Sequence, residues 1–468
     1  MATIAAPPAA AGTRLDAGLL RTAFVLVLGP ILALLDTTIV SVGIEATGRD
    51  LGAPLGTMQW VSAGYLLAIA TVMPLAGWAS ERFGAKATWI ASVALFAGGS
   101  ALCGLAWSAA SLIAFRVLQG LGGGLIQPVG QAMLVRAAGP RRLGRILGTT
   151  LLPITFAPVL GPLAGGALLE WLGWRWMFLV NIPVGLLTLV LAARFLPRDA
   201  ERGKGSRLDA RGLVLLSPGL AALVYGFSSA GEGAGFGSAR VVAALAAGAL
   251  LVAAYVVHAL RHSGEPLIDV RLFARRGFAV ATSNSFLQGA TLYGSMLLLP
   301  LYYQQVEHAS ALEAGLLLAP QALGTAVATL LGGRLADRLA PRPLVLAGIA
   351  LTLLGTVAFT QVAAGPPAWV MVASLVLRGA GLGLMMAPGM ATVYASVGRH
   401  EAARAAGAVN TVNRVGGSLG TAVMVVILQH GLSGHAPAAA YGGTFWWAFG
   451  LSALTLVPAL LYPSKENR

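Results

Sequence analysis

Long apolar runs separated by short polar segments follow one another along nearly the whole chain. A helix needs about 20 predominantly apolar residues to cross the hydrocarbon core of a bilayer. Runs of that length recur fourteen times, which predicts an all-α polytopic membrane protein with both termini on the same side. The predicted spans are 22–44, 58–79, 87–106, 109–134, 146–169, 174–196, 212–229, 239–260, 277–303, 312–335, 343–362, 368–393, 405–429 and 441–462.

Composition agrees with lipid as the main solvent of this chain. Hydrophobic residues occupy 57% of the 468 positions and charged residues only 10%, whereas soluble domains carry charge at about a quarter of their positions. The net charge of +14 raises the alternative of nucleic-acid binding, which clustered Lys and Arg favour. The basic residues instead fall in alternate loops, with six exceptions: Arg49, Arg175 and Arg240 on the other side, and Arg116, Arg378 and Arg414 within spans.

This distribution follows the positive-inside rule, which places Lys and Arg in cytoplasmic loops. It predicts a multi-pass protein of the cell (inner or cytoplasmic) membrane with both termini in the cytoplasm. Nucleic acid is thereby excluded as a partner.

An internal repeat divides the chain. Gly77 and Glu81 after span 2 recur as Gly333 and Asp337 after span 10, 256 residues later, and the Gly-rich stretches of spans 4 and 5 reappear in spans 12 and 13. The repeat predicts an N-terminal six-helix bundle (1–200), an inserted two-helix segment with flanking cytoplasmic linkers (201–270) and a C-terminal six-helix bundle (271–468). Two repeated bundles are typical of transporters that alternate access around a site at the membrane midplane.

Asp36 is a carboxylate inside an apolar span, about eight residues or roughly 12 Å from the span end. A carboxylate at the centre of a span costs about 2.5–3.5 kcal/mol, so such a residue predicts a functional site. Arg116 lies at a similar depth in span 4 and is its expected partner. Protonation of Asp36 would break the pair and couple a proton to a conformational change. The alternatives are a static ion pair that fixes helix packing and a guanidinium that snorkels to the interface.

Two further groups of residues are candidates, one for a conformational switch and the other for the substrate-binding site. Glycine and proline in span 5 allow close helix approach and a bend, and the loop after span 2 offers a carboxylate to a neighbouring helix N-terminus. With their repeats they predict a conformational switch formed by Gly77, Glu81, Arg82, Gly84, Gly161, Pro162, Gly165, Gly166, Gly333, Asp337 and Arg338. Packing alone is the alternative for the glycines.

Polar positions within spans predict a substrate-lining set, Thr37, Gln119, Gln127, Asn284, Gln288, Tyr293 and Arg378.

Residue patterns of enzymes are missing from the sequence. No phosphate-binding loop is present, and the histidines lie at span ends or in loops, in positions that we interpret as lacking metal-ligand spacing: His258, His262, His308, His400, His430 and His435. We therefore expect no catalytic residue, no metal and no cofactor, with the proton gradient as the energy source.

The motifs resemble those of the fourteen-helix drug:proton antiporters of the major facilitator superfamily. The resemblance runs from about Leu35 to Ala422 and rests on residues 35–40 of span 1, a span 4 motif, a span 5 motif and the start of span 6: Arg116, Gln119, Gly120 and Gly122; Gly148, Gly161, Pro162, Gly165 and Gly166; Trp174, Arg175, Trp176, Phe178, Asn181, Pro183 and Gly185. The chain departs from the family pattern at Ser41 and Glu45, where Asn and Pro are usual, at Ala157 for Gly and at Glu81 for Asp.

This resemblance implies proton-coupled export of small amphiphilic molecules, commonly drugs or antibiotics, by alternating access. The residues add a restriction on charge, because Asp36 is the only acid within a span interior whereas three arginines are embedded. We expect a neutral, zwitterionic or anionic substrate and a monomeric protein. A metabolite importer or facilitator on the same fold, and a non-transporting membrane scaffold or sensor, are the alternative functions.

Overall fold

The computed structural model describes residues 16–139, 142–154, 157–197, 207–231, 235–262, 264–336, 339–398 and 401–462, and within these ranges it is helical without strands. The helices run back and forth through one bundle. Their bounds are α1 (Ala17–Asp50), α2 (Leu55–Val72), α3 (Ala76–Phe83), α4 (Ala85–Gly104), α5 (Ala109–Ala138), α6 (Leu143–Ile154), α7 (Ala157–Trp171), α8 (Trp176–Leu179), α9 (Asn181–Phe195), α10 (Ala210–Ser229), α11 (Ala239–Arg261), α12 (Arg276–Gln305), α13 (Ala311–Leu317), α14 (Ala319–Ala336), α15 (Pro341–Thr360), α16 (Ala368–Ala395), α17 (Ala402–Leu432), α18 (Pro437–Leu454) and α19 (Leu456–Leu460).

Twelve helical segments of the described chain are long and apolar enough to cross a membrane. They coincide with twelve of the fourteen predicted spans. The other two predictions, 146–169 and 277–303, correspond to α6 with α7 and to α12, a helix of 30 residues that contains Asn284 and Gln288. The chain is therefore a multi-pass, all-helical membrane protein.

Several helix starts carry the capping residues that the sequence offers. Asp16 precedes α1 and accepts a hydrogen bond from the backbone N–H of Leu19 at 2.6 Å; this bond and the guanidinium of Arg142 lower the pKa of the Asp16 carboxyl. Ser108 and Ser111 form a capping box at the start of α5. Such caps satisfy N–H groups that have no partner within the helix.

α1 is longer than its hydropathy predicts, since it continues from the predicted limit at 44 to Asp50. The last turns carry Glu45 and Arg49, whose exposed side chains lie 3.8 Å apart in an i,i+4 pair. Charged residues at this spacing support a helix although they lower its mean hydropathy. Asp36 therefore lies near the middle of α1.

The two halves pack their central helices in the same way. Gly122 of α5 lies against the carbonyl oxygen of Ser92 in α4, and Gly381 of α16 lies against the carbonyl oxygen of Gly348 in α15. In both pairs a Cβ on the glycine of the longer helix would collide with the partner backbone. Each half therefore uses glycine to bring two helix backbones into contact.

The bundle has two ends of different charge. We call the end at which α1 begins, and at which α3, α5, α9 and α11 end, the basic face, because Arg82, Lys86, Arg142 and Arg194 lie there; the other end is the distal face. At the basic face, α3 and α5 contact α17, and α6 contacts α14. α10 packs on both α2 and α17, whereas α11 packs mainly on α10. The first and second halves thus meet closely at the basic face.

Candidate functional site

Asp36 is completely buried between α1 and α5 and is paired with Arg116. The Nη1 group of Arg116 donates to Oδ2 of Asp36 at 2.6 Å, and only 1% of the arginine side chain is exposed. Its Nε group donates to the carbonyl of Val61 at 3.1 Å, and the guanidinium carbon lies 4.0 Å from the ring centre of Tyr65. The structure thus brings the two residues of the predicted pair into direct contact.

Two amide side chains complete the shell around the Asp36 carboxylate. Gln119 of α5 and Asn181 of α9 both donate to Oδ1 of Asp36, at 2.9 and 2.8 Å. The oxygen of Gln119 also accepts from Arg116 at 2.8 Å, and Asn181 donates to the hydroxyl of Ser100 at 3.0 Å. We call Asp36, Ser100, Arg116, Gln119 and Asn181 the Asp36 cluster. Every one of them is buried.

The Asp36 cluster holds a charge pair that is buried away from bulk solvent. A buried ion pair is tolerated when further hydrogen bonds satisfy both groups, and removal of one partner leaves a charge uncompensated. Four helices contribute to this arrangement, since α1, α4, α5 and α9 each supply at least one side chain. A change of charge on Asp36 would therefore act on all four helices.

α7 packs directly on the part of α1 that follows Asp36. A Cβ on Gly161 would collide with the hydroxyl of Thr38, and one on Gly165 would lie 3.0 Å from the carbonyl oxygen of Ile39. Gly166 faces open space, since a Cβ added there would have no neighbouring atom within 4 Å. Pro162 lies within α7, and its side chain is outside the described set. Two of the predicted switch glycines are thus contacts to α1.

Arg404 of α17 links the two halves at the basic face. It donates to Glu81 of α3 at 2.5 Å and also to Glu265, in the segment between α11 and α12. Its aliphatic stem lies on Gly77, where a Cβ would collide with it. We call Glu81, Glu265 and Arg404 the basic-face lock. Gly84 ends α3 with a φ of 93°, a left-handed value that favours glycine.

The other predicted switch residues lie next to Glu81, at the contact between α6 and α14, or outside the described residues. Arg82 is exposed. A Cβ on Gly333 of α14 would lie 2.6 Å from the carbonyl oxygen of Gly144 and 2.9 Å from the Cα of Gly148, both in α6. Asp337 and Arg338 fall outside the described residues.

Arg378 of α16 is a second buried guanidinium, in the other half. It has no exposed surface, and it donates from Nη1 to the hydroxyl of Thr356 at 2.7 Å and from Nη2 to the hydroxyl of Ser295. Its Nε group has no hydrogen-bond partner, and no carboxylate pairs with it, within the described part of the chain. Its positive charge is held by neutral groups alone.

The remaining predicted substrate-lining residues lie on α1, α5 and α12. Thr37 donates to the carbonyl of Ala33 at 2.9 Å, Gln127 is half-buried, and Gln119 belongs to the Asp36 cluster. In α12, Asn284 is buried. Gln288 has an Nε2 group without a partner among the described residues, and the guanidinium of Arg414 lies 5.7 Å from the ring centre of Tyr293. Their role in substrate binding stays a prediction.

Several residues of these sites were missed by sequence reasoning. Asn181 belongs to the motif at the start of span 6, to which we assigned no role, whereas nothing in the sequence pairs Arg404 with Glu81, 323 positions away.

The interpretation that the histidines lack metal-ligand spacing was wrong. His258 lies in the last turn of α11 and His262 directly follows that helix, and their ligand atoms and one of Asp209 all lie within 4.8 Å of one another. The i,i+4 spacing of the two histidines was visible in the sequence.

Comparison with known proteins agrees with this architecture. The family model described as Major Facilitator Superfamily matches residues 26–421 and, again, 281–467. The Multidrug resistance protein B homolog of Mycobacterium tuberculosis is 42% identical over 419 residues, covering 89% of this chain and 77% of the relative. The Cephamycin export protein CmcT of Amycolatopsis lactamdurans is 35% identical, and the match covers 92% of this chain and 89% of that relative.

A solved structure shows the same fold at low sequence identity. The human organic anion transporter MFSD10 (TETRAN) superposes with a TM-score of 0.65 at 19% identity, covering 95% of this chain and 99% of that one. This likeness concerns the fold alone. With the family match over most of the chain, it leads to the conclusion that the chain belongs to the major facilitator superfamily of membrane transporters and is not an enzyme.

Proposed function

We propose that this protein is a proton-coupled antiporter that exports small amphiphilic molecules, drugs or antibiotics among them, by alternating access. The Asp36 cluster carries the proposal, because it holds an ionised pair inside the membrane-spanning part of the molecule. Placing a carboxylate there costs several kcal/mol of free energy, so its presence points to a functional role. The proton gradient is the energy source, and no cofactor takes part.

Packing contacts lead from the helix that carries Asp36 to the contact between the halves. α1 contacts α7 through Thr38 and Gly161 and also contacts α6. α6 in turn contacts α14 through Gly148 and Gly333. Protonation of Asp36 removes the charge that offsets Arg116, so α1 and α5 gain freedom to shift. α6, which contacts both α1 and α14, transmits the shift to the basic face, where the halves separate.

The same proposal assigns the topology. We infer fourteen spans, in which α6 with α7 and α12 join the twelve apolar segments, and in which α10 and α11 are a pair inserted between two six-helix bundles. The matching glycine contacts of Gly122 and Gly381 support the repeat of the bundles. The positive-inside rule makes the basic face and both termini cytoplasmic, in the cell membrane.

For the substrate, the printed names of the relatives support drug or antibiotic export, and the embedded charges support a neutral, zwitterionic or anionic molecule. Among the residues that the structure describes, Arg378 has only hydroxyl partners, and a buried cation without a counter-charge is costly. An anionic group of the substrate would offset that charge when the cavity opens. A dication would instead increase the positive charge. The protein acts as a monomer in this proposal.

Asp36→Asn tests the proposal, with Asp50→Asn on the same helix as the control. Asp50 lies at the distal face, where its carboxylate accepts from Trp174 and Arg175. A screen of toxic compounds on cells with and without the protein first supplies a substrate. Inverted vesicles with an imposed pH gradient, acidic inside, should then accumulate it. We expect Asp36→Asn to abolish this accumulation, and Asp50→Asn to retain it, when vesicles that contain equal amounts of folded protein are compared.

The alternative functions give different results in the same vesicles. An importer would accumulate its compound in right-side-out vesicles. A scaffold or sensor would show no gradient-driven accumulation in either orientation, and Asp36→Asn would leave its associated phenotype intact. Full proton-driven accumulation by Asp36→Asn would refute the assignment of proton coupling to this residue.

A further inference from the structure

A cluster of one carboxylate and two imidazoles lies at the basic face, outside the Asp36 cluster. Asp209 precedes α10, and His258 and His262 lie at the end of α11. The Asp209 side chain is 3% exposed and that of His258 is 18% exposed. The three residues offer ligand atoms that all lie within 4.8 Å of one another.

The Asp209 carboxylate is held in place by one oxygen and leaves the other free. Oδ1 accepts from the backbone N–H of Gly212 at 2.8 Å and lies 2.8 Å from Nε2 of His258. Oδ2 is buried and has no hydrogen-bond partner among the described residues. A buried carboxylate oxygen without a donor is rare, because its desolvation is not compensated.

We propose that Asp209, His258 and His262 bind one divalent metal ion that prefers nitrogen and oxygen ligands in tetrahedral geometry, such as Zn²⁺. Imidazole nitrogen and carboxylate oxygen are ligands of Zn²⁺, and three protein ligands leave a fourth position for water. Ligands of one tetrahedral zinc ion lie about 3.4 Å apart, so ligand atoms that now lie within 4.8 Å of one another need to close by about 1.4 Å at most. The partly exposed His262 ring can make that movement by rotation about its side-chain bonds.

The groups present account for every bond and proton that is exchanged when the ion binds. The hydrogen bond between Asp209 and His258 gives way to one bond from each to the ion. An imidazolium releases the proton on its liganding nitrogen to solvent, whereas a neutral ring protonated at that nitrogen transfers the proton to its other nitrogen through solvent, so that each histidine ligand is a neutral imidazole. Asp209 still caps α10 through its hydrogen bond with Gly212. No oxidant, reductant or further reactant is required.

The site would join the two inserted helices next to the basic-face lock. The ion ties the first residue before α10 to the last turn of α11. The segment that follows His262 carries Glu265, which accepts from Arg404 of α17. Metal binding thereby fixes the segment that holds one acid of the lock. The proposal does not depend on proton coupling or on the transported substrate.

Metal binding by the purified full-length protein tests this site. The protein carries no histidine tag and is treated with EDTA, then titrated with Zn²⁺ by calorimetry and with Co²⁺ as a spectroscopic probe. We expect one ion per chain. Loss of a ligand should lower affinity at least tenfold in His258→Ala and in His262→Ala. Asp209→Asn should do the same, although an Asn side chain retains the helix cap.

His435→Ala is the matched control, because His435 is exposed at the distal face and should leave affinity unchanged. A second measurement uses the wild type alone and so remains informative if a variant fails to fold. Zn²⁺ should protect His258 and His262 from diethyl pyrocarbonate while His435 stays reactive. Absence of saturable binding, equal affinity in the doubly substituted His258→Ala, His262→Ala protein, or lack of protection would each overturn the proposal.

Discussion

Arg116 and Arg378 are two buried guanidiniums in opposite halves of the molecule, and their surroundings differ. Arg116 has a carboxylate, an amide, a carbonyl and an aromatic ring around it. Arg378 has two hydroxyls and an unsatisfied Nε group. The first charge is compensated by a carboxylate, whereas the second has no carboxylate partner among the described residues. The two residues therefore respond differently to substitution.

Arg116→Gln should destabilise the protein strongly, because it leaves Asp36 buried without its counter-charge; removal of one partner of a buried pair costs about 3–5 kcal/mol. Asp36→Asn combined with Arg116→Gln removes both charges and should recover much of the loss. Thermal unfolding in detergent measures both. Arg175→Gln breaks the exposed pair with Asp50 and should change the melting temperature little. A double variant less stable than Arg116→Gln would contradict this account.

Arg378→Gln should leave the melting temperature equal or higher, because it removes a buried charge that has no carboxylate partner among the described residues. Transport of an anionic substrate should fall at least tenfold, while Arg378→Lys, which retains the charge, should keep part of it. Initial rates in vesicles for an anionic and a neutral compound measure the difference. Equal losses for both compounds would show that Arg378 does not recognise charge.

At the scale of the helices, glycine decides where the two halves touch. Gly148 of α6 and Gly333 of α14 face each other, so that a Cβ on Gly148 would lie 3.0 Å from the Cα of Gly333. Such close approach of backbones is typical of membrane helices with small residues at the contact. These two helices therefore form a contact that a single side chain can break.

Gly333→Val should separate α6 from α14 and favour the state that is open at the basic face. Gly166→Val is the matched control, since a Cβ there meets nothing within 4 Å. The measurement is the reactivity of Gln131→Cys, in a Cys103→Ala background, toward an impermeant thiol reagent in inverted vesicles. Gln131 contacts Asn410 across the halves, so its cysteine should react faster when they part. Unchanged reactivity in Gly333→Val would contradict the prediction.

For the whole molecule, the asymmetry of charge between the two faces is the dominant feature. Basic residues crowd the face where α1 begins, whereas Arg49, Arg175 and Arg240 lie at the distal face. Lys and Arg near span ends are retained on the cytoplasmic side during insertion. This asymmetry is the basis of the proposed orientation, in which the basic face lies in the cytoplasm.

Fusions of alkaline phosphatase and of green fluorescent protein should therefore report a cytoplasmic location for both termini. Phosphatase fused after Arg468 should be inactive and fluorescent protein fused there should be bright. Phosphatase fused after Gly365, between α15 and α16, should be active. An active phosphatase at the C-terminus would reverse the proposed orientation.

Periodicity and composition predicted most of the elements of this fold. Membrane helices satisfy their own backbone hydrogen bonds and need a fixed apolar length, so each span is a local property of the chain. For the same reason the prediction was least accurate where polar residues interrupt or extend a helix. The end of α1, with Glu45 and Arg49, is such a place. The span predicted at 277–303 is a helix, Arg276–Gln305, although it is not among the twelve segments apolar enough to cross a membrane.

The sequence by itself determined the helical membrane character, the internal repeat and Asp36 with Arg116 as candidate partners, because burial cost and charge placement can be read residue by residue. Only the tertiary structure decided what completes each site. Asn181 reaches Asp36 from 145 positions away, Arg404 reaches Glu81 from 323, and Asp209 approaches His258 from 49. Such contacts depend on how helices pack side by side, which local propensity does not encode.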